Sequence, residues 1–97
     1  RAATERVILL GDFNTTPESR VHSSLTSSLT DAWTAAPKRS GPEGTFHGFT
    51  GKPERRIDWI LVRGLRANAV ETVTAHRDGR YPSDHFPVIA ELDLAAR

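Results

Sequence analysis

The 97-residue sequence contains no cysteine and no methionine. Without cysteine there can be no disulfides, thiolate metal ligands or cysteine nucleophiles, although the redox compartment stays undecided. The missing methionine, together with Arg1 at the start, leads us to expect a processed form or a piece of a longer protein.

Long hydrophobic runs and an excess of one charge are also missing. The longest unbroken apolar run is Val7 to Leu10, far below the roughly 20 residues that span a bilayer, and the first residues lack the apolar stretch of a signal peptide. Thirteen basic against twelve acidic side chains give a net charge of +1. We therefore expect no membrane span, and any nucleic acid or anionic surface must be bound by a local site.

The hydrophobic pattern predicts a mixture of strands and helices. Apolar runs bounded by glycine or proline predict strands over 4–13, 57–63, 69–75 and 88–94, the first central and the third an antiparallel hairpin neighbour of the second. A capping box at Thr15 and Glu18, followed by Val21, Leu25 and Leu29, predicts a helix ending near residue 29 or 30. A second helical turn is expected at 31–33, and mostly loop over 37–53.

The strand at 57–63 has apolar side chains on both faces. Trp59 and Leu61 lie on one side, and Ile60 and Val62 on the other. The chain supplies one clear amphipathic helix, which covers one side only. This predicts an α/β (α+β) fold with one mixed, mainly antiparallel sheet, one or two helices on one face, and a second face that needs a partner layer.

Asp12 and Asn14 lie two residues apart where the first strand ends. In extended geometry their side chains project from the same face about 7 Å apart, where they could hold a water or a phosphate oxygen. Asp and Asn at such turns also serve as helix caps and Asx-turns, which is the structural alternative for this pair.

Asp58 interrupts an apolar strand, so an unpaired carboxylate there would be costly and a partner is required. Arg55 or Arg56 is one candidate partner and a histidine is the other, because an aspartate that accepts one ring N–H favours the imidazolium. His85 is the candidate, in a loop restricted by Pro82 and Pro87. The alternative for His85 is a solvated loop histidine without a partner. A serine triad of Ser83, His85 and Asp58 is disfavoured, because Ser83 and His85 lie only two residues apart in a restricted loop.

Phe46, His47 and Phe49 lie in the long loop. Aromatic side chains there either stack on a base or fasten the loop to the core. The individual histidines at 22, 47 and 76 carry no signal of their own.

Three short motifs together resemble the second half of the endonuclease/exonuclease/phosphatase (deoxyribonuclease-like) superfamily. They are Leu-Leu-Gly-Asp-Phe-Asn at 9–14, Arg-Ile-Asp-Trp-Ile at 56–60 and Ser-Asp-His-Phe-Pro-Val at 83–88. The resemblance implies that residues 1–97 form the C-terminal half of a four-layer α/β sandwich, with the N-terminal half absent.

The resemblance also implies roles for single residues. Asp12 would orient or deprotonate the attacking water, and Asn14 would position the nucleophile and the phosphate. Asp58 would hold His85, and His85 would stabilise the charge that develops on the phosphoryl oxygens. Asp84 and Asp12 would contact Mg²⁺ or Mn²⁺, while Phe46 and His47 would join Asn14 in binding a phosphate-ester substrate such as a nucleic acid, inositol phosphate or phospholipid head group.

In that family the principal metal ligands, an Asn and a Glu, belong to the first half. We therefore expect the isolated chain to have little or no hydrolytic activity. The alternatives are a non-catalytic assembly module, pairing with the missing half or with itself through the uncovered sheet face, and a nucleic-acid-binding module.

Overall fold

A computed structural model describes residues 5–94 of the chain. The elements in chain order are β1 Val7–Asp12, α1 Arg20–Leu25, β2 Thr30–Asp31, α2 Ala32–Ala35, β3 Lys38–Ser40, β4 Asp58–Arg63, β5 Leu65–Thr72 and β6 Val88–Leu94. The α+β class is confirmed. The strands divide between two three-stranded sheets, ordered β1-β4-β2 and β3-β5-β6, where the sequence led us to expect one.

The first sheet is antiparallel and carries β4 in its centre. β1 is an edge strand within the described residues, rather than the predicted central strand, and it spans 7–12 where 4–13 was expected. Thr4 lies outside the described residues. Ile8 and Leu10 are 51% and 63% exposed, so one face of β1 is uncovered, as the shortage of helices predicted.

The chain leaves β4 through Gly64, whose φ of 74° is in the left-handed region that glycine tolerates. β5 does not fold back on β4 as the predicted hairpin. It pairs antiparallel with β6 and parallel with β3, which makes the second sheet mixed. Its bounds are Leu65–Thr72, not 69–75, whereas β6 has the predicted bounds Val88–Leu94.

The first helix is shorter than predicted. Ser19, not Thr15, caps it by accepting the N–H of His22, and the helix ends at Leu25. Beyond that point the Thr26 hydroxyl donates to the carbonyl of His22, and the Ser27 hydroxyl to the carbonyl of Ser24. Side chains that bond to nearby carbonyls compete with the helical ladder, which explains the early end.

The packed core lies between β4, β5 and the second helix. Its buried members are Ala32, Ala36, Ala67 and Val70, and Ile60 of β4 packs against them. Trp59, Leu61 and Val62 of β4 are also buried. α2 begins at the predicted turn, where Asp31 caps it through the N–H of Trp33. α1 contributes no buried residue, and Val21 of its predicted stripe is 48% exposed. No helix within residues 5–94 is long and apolar enough to cross a membrane.

Candidate active site

The register of two antiparallel strands places two carboxylates together. Asp12 ends β1 and Asp58 begins β4, and the two residues are paired directly across the sheet. Directly opposite residues in an antiparallel pair have neighbouring side chains. The end of this strand pair therefore carries two acids at one edge of the sheet.

His85 reaches these acids from the loop that precedes β6. Its backbone N–H donates to the Ser83 hydroxyl at 3.0 Å, which tightens the loop. A β-bridge joins it to Phe46, whose ring meets the His85 ring edge to face, with centroids 5.4 Å apart. The imidazole is thus held from its own loop and from the loop at 46.

The His85 ring lies between three carboxylates. Nδ1 is 2.7 Å from an Asp58 oxygen, and Nε2 is 3.7 Å from Asp12 Oδ2 and 3.9 Å from Asp84 Oδ1. The hydrogen bond to Asp58 raises the pKa of His85 against the opposing effect of burial, and the charges of Asp58, Asp12 and Asp84 add to the rise. Asp58 thus has a histidine partner, not Arg55 or Arg56, and the pairing favours the protonated ring, whose Nε2–H would be a donor.

Asn14 does not continue the extended strand. Its φ of 55° is left-handed, and its backbone N–H donates to Asp12 Oδ1 at 2.9 Å. This is an Asx-turn, the structural alternative for the pair, so the extended geometry on which the same-face projection depended is absent at Asn14. The turn occupies one oxygen of Asp12 and leaves Oδ2 on the side of His85.

An open cavity of about 320 Å³ adjoins these groups. Asp12, Asp58 and His85 line its polar end, and the apolar side chains of Leu10, Ile60 and Val88 line the remainder. A cavity with convergent polar groups and an apolar wall is the usual form of a small-molecule site.

A buried ion pair that the sequence reasoning missed lies just before Asp58. Arg56 donates to both oxygens of Asp31, at 3.2 and 2.7 Å, and both residues are about 95% buried. His22 Nε2 lies 2.7 Å from the same carboxylate. Burial alone would raise the pKa of Asp31, but the hydrogen bonds from Arg56 and His22 and the charge of Arg56 lower it overall.

The loop aromatics form a stack behind the site. His47 is 1% exposed, lies parallel to Phe86 with centroids 4.2 Å apart, and contacts Tyr81 at 4.6 Å. This burial does not suit the predicted direct contact of His47 with a substrate. Phe46 is half-buried, with the Arg55 guanidinium 5.5 Å from its ring centre.

Asp12, Asp58 and His85 form the one group of three metal-ligating side chains within residues 5–94, each offering one atom within 4.8 Å of the others. Asp58 uses an oxygen to bind His85, which leaves Asp12 and the half-exposed Asp84 as carboxylate donors. Carboxylate oxygens with room for water suit a hard divalent cation such as Mg²⁺ or Mn²⁺.

Comparison with known protein families identifies the class of protein to which this fold and this cluster belong. The sequence model of the endonuclease/exonuclease/phosphatase family matches residues 1–85, and the chain belongs to that family. The resemblance inferred from the three motifs is confirmed.

The chain is also similar to solved structures. The chain is 35% identical to a conserved protein of unknown function from Enterococcus faecalis, with a TM-score of 0.88. The match covers 96% of this chain and 38% of the E. faecalis protein. The chain is 32% identical to a mannosyl-6-phosphatase from Bacteroides thetaiotaomicron, with a TM-score of 0.79. That match covers 90% of this chain and 37% of the phosphatase. The chain thus spans little more than a third of these relatives. The comparison with curated proteins finds no match.

Proposed function

We propose that this chain carries catalytic groups of a metal-dependent phosphoesterase, which hydrolyses a phosphate ester with an activated water. One observation supports this most: the His85 imidazole is held by Asp58 at 2.7 Å while its other nitrogen faces Asp12 at 3.7 Å. An imidazole fixed by one acid beside a second acid provides a donor and a proton acceptor at a single point.

Each group then has a distinct task. Asp58 accepts a hydrogen bond from Nδ1–H of His85, which keeps the ring oriented and favours its positively charged form. The Nε2–H donates to a phosphoryl oxygen and stabilises the negative charge that grows in the transition state. Asp12 Oδ2 orients or deprotonates the water for in-line attack, and the exposed Asn14 binds the phosphate.

The metal would be held in part by this chain. Asp12 and Asp84 would offer carboxylate oxygens to Mg²⁺ or Mn²⁺, with the further ligands supplied by water and by the family's first-half Asn and Glu. When bound, the ion neutralises charge on the non-bridging and leaving oxygens.

The substrate we propose is a phosphomonoester. The support is the relative from B. thetaiotaomicron, a mannosyl-6-phosphatase 32% identical to this chain. Phe46 stands beside His85 and would contact the group that carries the phosphate. No contact in residues 5–94 specifically favours a nucleic acid, so a phosphodiester is the second substrate class to test.

The test grafts these 97 residues in place of the matching segment of the B. thetaiotaomicron phosphatase. We expect the chimera to hydrolyse p-nitrophenyl phosphate with Mg²⁺, and EDTA to abolish the activity. His85→Ala and Asp58→Asn should each lower kcat by at least about 100-fold, because the transition state loses its charged donor.

Control variants keep the test specific. His76→Ala changes an exposed histidine that contacts Gly79 and Tyr81 but none of the three residues of the cluster, and it should leave kcat within about twofold. Bis-p-nitrophenyl phosphate measures the diester reaction in parallel. Full activity of the His85→Ala chimera would refute the proposed role of the cluster.

A further inference from the structure

Thr45 makes an unusual set of hydrogen bonds for a loop residue. It is 1% exposed, and its hydroxyl accepts the backbone N–H of Ile57 at 3.1 Å and of Asp58 at 3.2 Å. The same hydroxyl donates to the carbonyl of Arg55 at 3.4 Å. One donated and two accepted bonds use the full capacity of a hydroxyl group.

The backbone of Thr45 reaches the other half of the site. Its carbonyl accepts the N–H of Phe86 at 2.7 Å, and the next residue, Phe46, forms a β-bridge with His85. Thr45 therefore bonds directly to the backbone at Asp58 and to the backbone beside His85.

The hydrogen bonds of Thr45 align the start of β4 with the loop of His85, which the two sheets do not do. β4 pairs with β1 and β2, while β6 belongs to the other sheet, so no strand ladder within residues 5–94 joins Asp58 to the loop of His85. The two residues are 27 apart in sequence, yet their side chains meet at 2.7 Å. A short hydrogen bond of this kind requires both backbones to be held in place.

We propose that Thr45 is a positioning residue for the Asp58–His85 pair. Its hydroxyl fixes the start of β4, and its carbonyl fixes the loop of His85 at the distance that the imidazole hydrogen bond needs. The expected change in kcat rests on the proposed function, whereas the expected change in the Asp58–His85 hydrogen bond does not. Losing the hydroxyl leaves the buried N–H of Ile57 and the part-buried N–H of Asp58 without this acceptor, which favours a shift at the start of β4.

The test compares isosteric variants of the 97-residue chain and of the chimera. Thr45→Val removes the hydroxyl and keeps the shape, and Thr45→Ser keeps the hydroxyl. Thr72→Val is the matched control, because Thr72 is 2% exposed and its hydroxyl has no hydrogen-bond partner in the described part of the chain.

The first readout is the low-field proton NMR signal of His85 Nδ1–H. We expect it in the wild type, Thr45→Ser and Thr72→Val, and its loss or clear upfield shift in Thr45→Val. In the chimera, Thr45→Val should lower kcat by about tenfold or more with KM within about twofold, since positioning acts on the transition state, and Thr45→Ser should restore it. Thr45→Cys, with a weaker acceptor, should give intermediate values.

Two results would overturn the proposal. One is an unchanged Nδ1 signal and kcat in folded Thr45→Val, or, if that variant does not fold, wild-type values in Thr45→Cys. The other is an equal loss in Thr72→Val, which would show a general effect of core substitution. If the NMR results are as expected but the unmodified chimera hydrolyses no phosphate ester, the proposed function fails and the positioning role stands.

Discussion

At the scale of single residues, the buried Asp31–Arg56 pair links the stability of the fold to pH. The pKa of Asp31 is lowered in the folded state, against burial, by hydrogen bonds from Arg56 and His22 and by the Arg56 charge. Glu43 approaches Arg56 from the exposed side at 3.4 Å. A carboxyl with a lowered folded pKa stabilises the fold above its unfolded pKa, and this stabilisation is lost as the pH falls through the folded value.

Asp31→Asn should cost about 3–5 kcal/mol of unfolding free energy at pH 7, because the buried Arg56 charge loses its buried carboxylate partner and keeps only the exposed Glu43 at 3.4 Å. The difference from the wild type should shrink progressively as the pH falls below 3.8, the ordinary pKa of Asp, because the unfolded wild-type chain then takes up a proton at Asp31 more readily than the folded chain. Urea unfolding of the 97-residue chain followed by tryptophan fluorescence measures both values. Asp78→Asn, at an exposed position, is the control, and an equal loss at pH 7 and pH 3 would contradict the expectation.

Some of these residues could be predicted from the sequence and others could not. Asp58 interrupts an apolar strand, which demands a partner, and His85 in a loop fastened by two prolines was a candidate for it. Asp31 was expected only as part of a helical turn at 31–33, and its role as the cap of α2 was not predicted. Its pairing with Arg56, 25 residues away, depends on loop packing that no local periodicity reports.

At the scale of elements, the turn after β3 requires glycine. Gly41 has a φ of 78°, and a Cβ there would collide with the backbone carbonyl of Thr72 at the end of β5. Gly79 has nearly the same φ, 76°, but open space around it. The two positions separate backbone strain from steric contact.

Gly79→Ala should therefore cost about 1 kcal/mol, the strain of a left-handed alanine. Gly41→Ala should cost clearly more, about 3 kcal/mol in total, because backbone rather than a flexible side chain must move. Thermal and urea unfolding of both variants provide the measurement. Equal losses of unfolding free energy in the two variants would show that the backbone at Thr72 moves away from the Cβ added at position 41 without a measurable free-energy cost.

The elements themselves were predictable where the pattern was strongly apolar, and their pairing was not. The strand at 88–94 was found with its bounds because Pro87 before it and the alternation of apolar and acidic residues toward its end agree there. β5 was assigned to the wrong neighbour because a glycine between two apolar runs fits both a hairpin and a crossing between sheets. Helix α1 was extended too far because serine and threonine hydroxyls compete for its last carbonyls.

At the scale of the whole molecule, one face of β1 is left uncovered within residues 5–94. Ile8 and Leu10 are more than half exposed on a strand that has one neighbour within residues 5–94. An edge strand with exposed apolar side chains is a ready pairing surface. The chain also spans 38% of the E. faecalis protein that it resembles, so a covering layer from the same protein or from a second copy is the occupant to test.

We expect the 97-residue chain to self-associate at high micromolar concentration through this face. Ile8→Lys should shift it to monomer, because a charged edge strand resists pairing. Ile89→Lys is the matched control on the second sheet, since Ile89 is 58% exposed and should leave association unchanged. Sedimentation velocity over a concentration series measures the effect. A wild-type chain that stays monomeric throughout, or an Ile89→Lys variant that dissociates as fully as Ile8→Lys, would show that β1 is not the pairing surface.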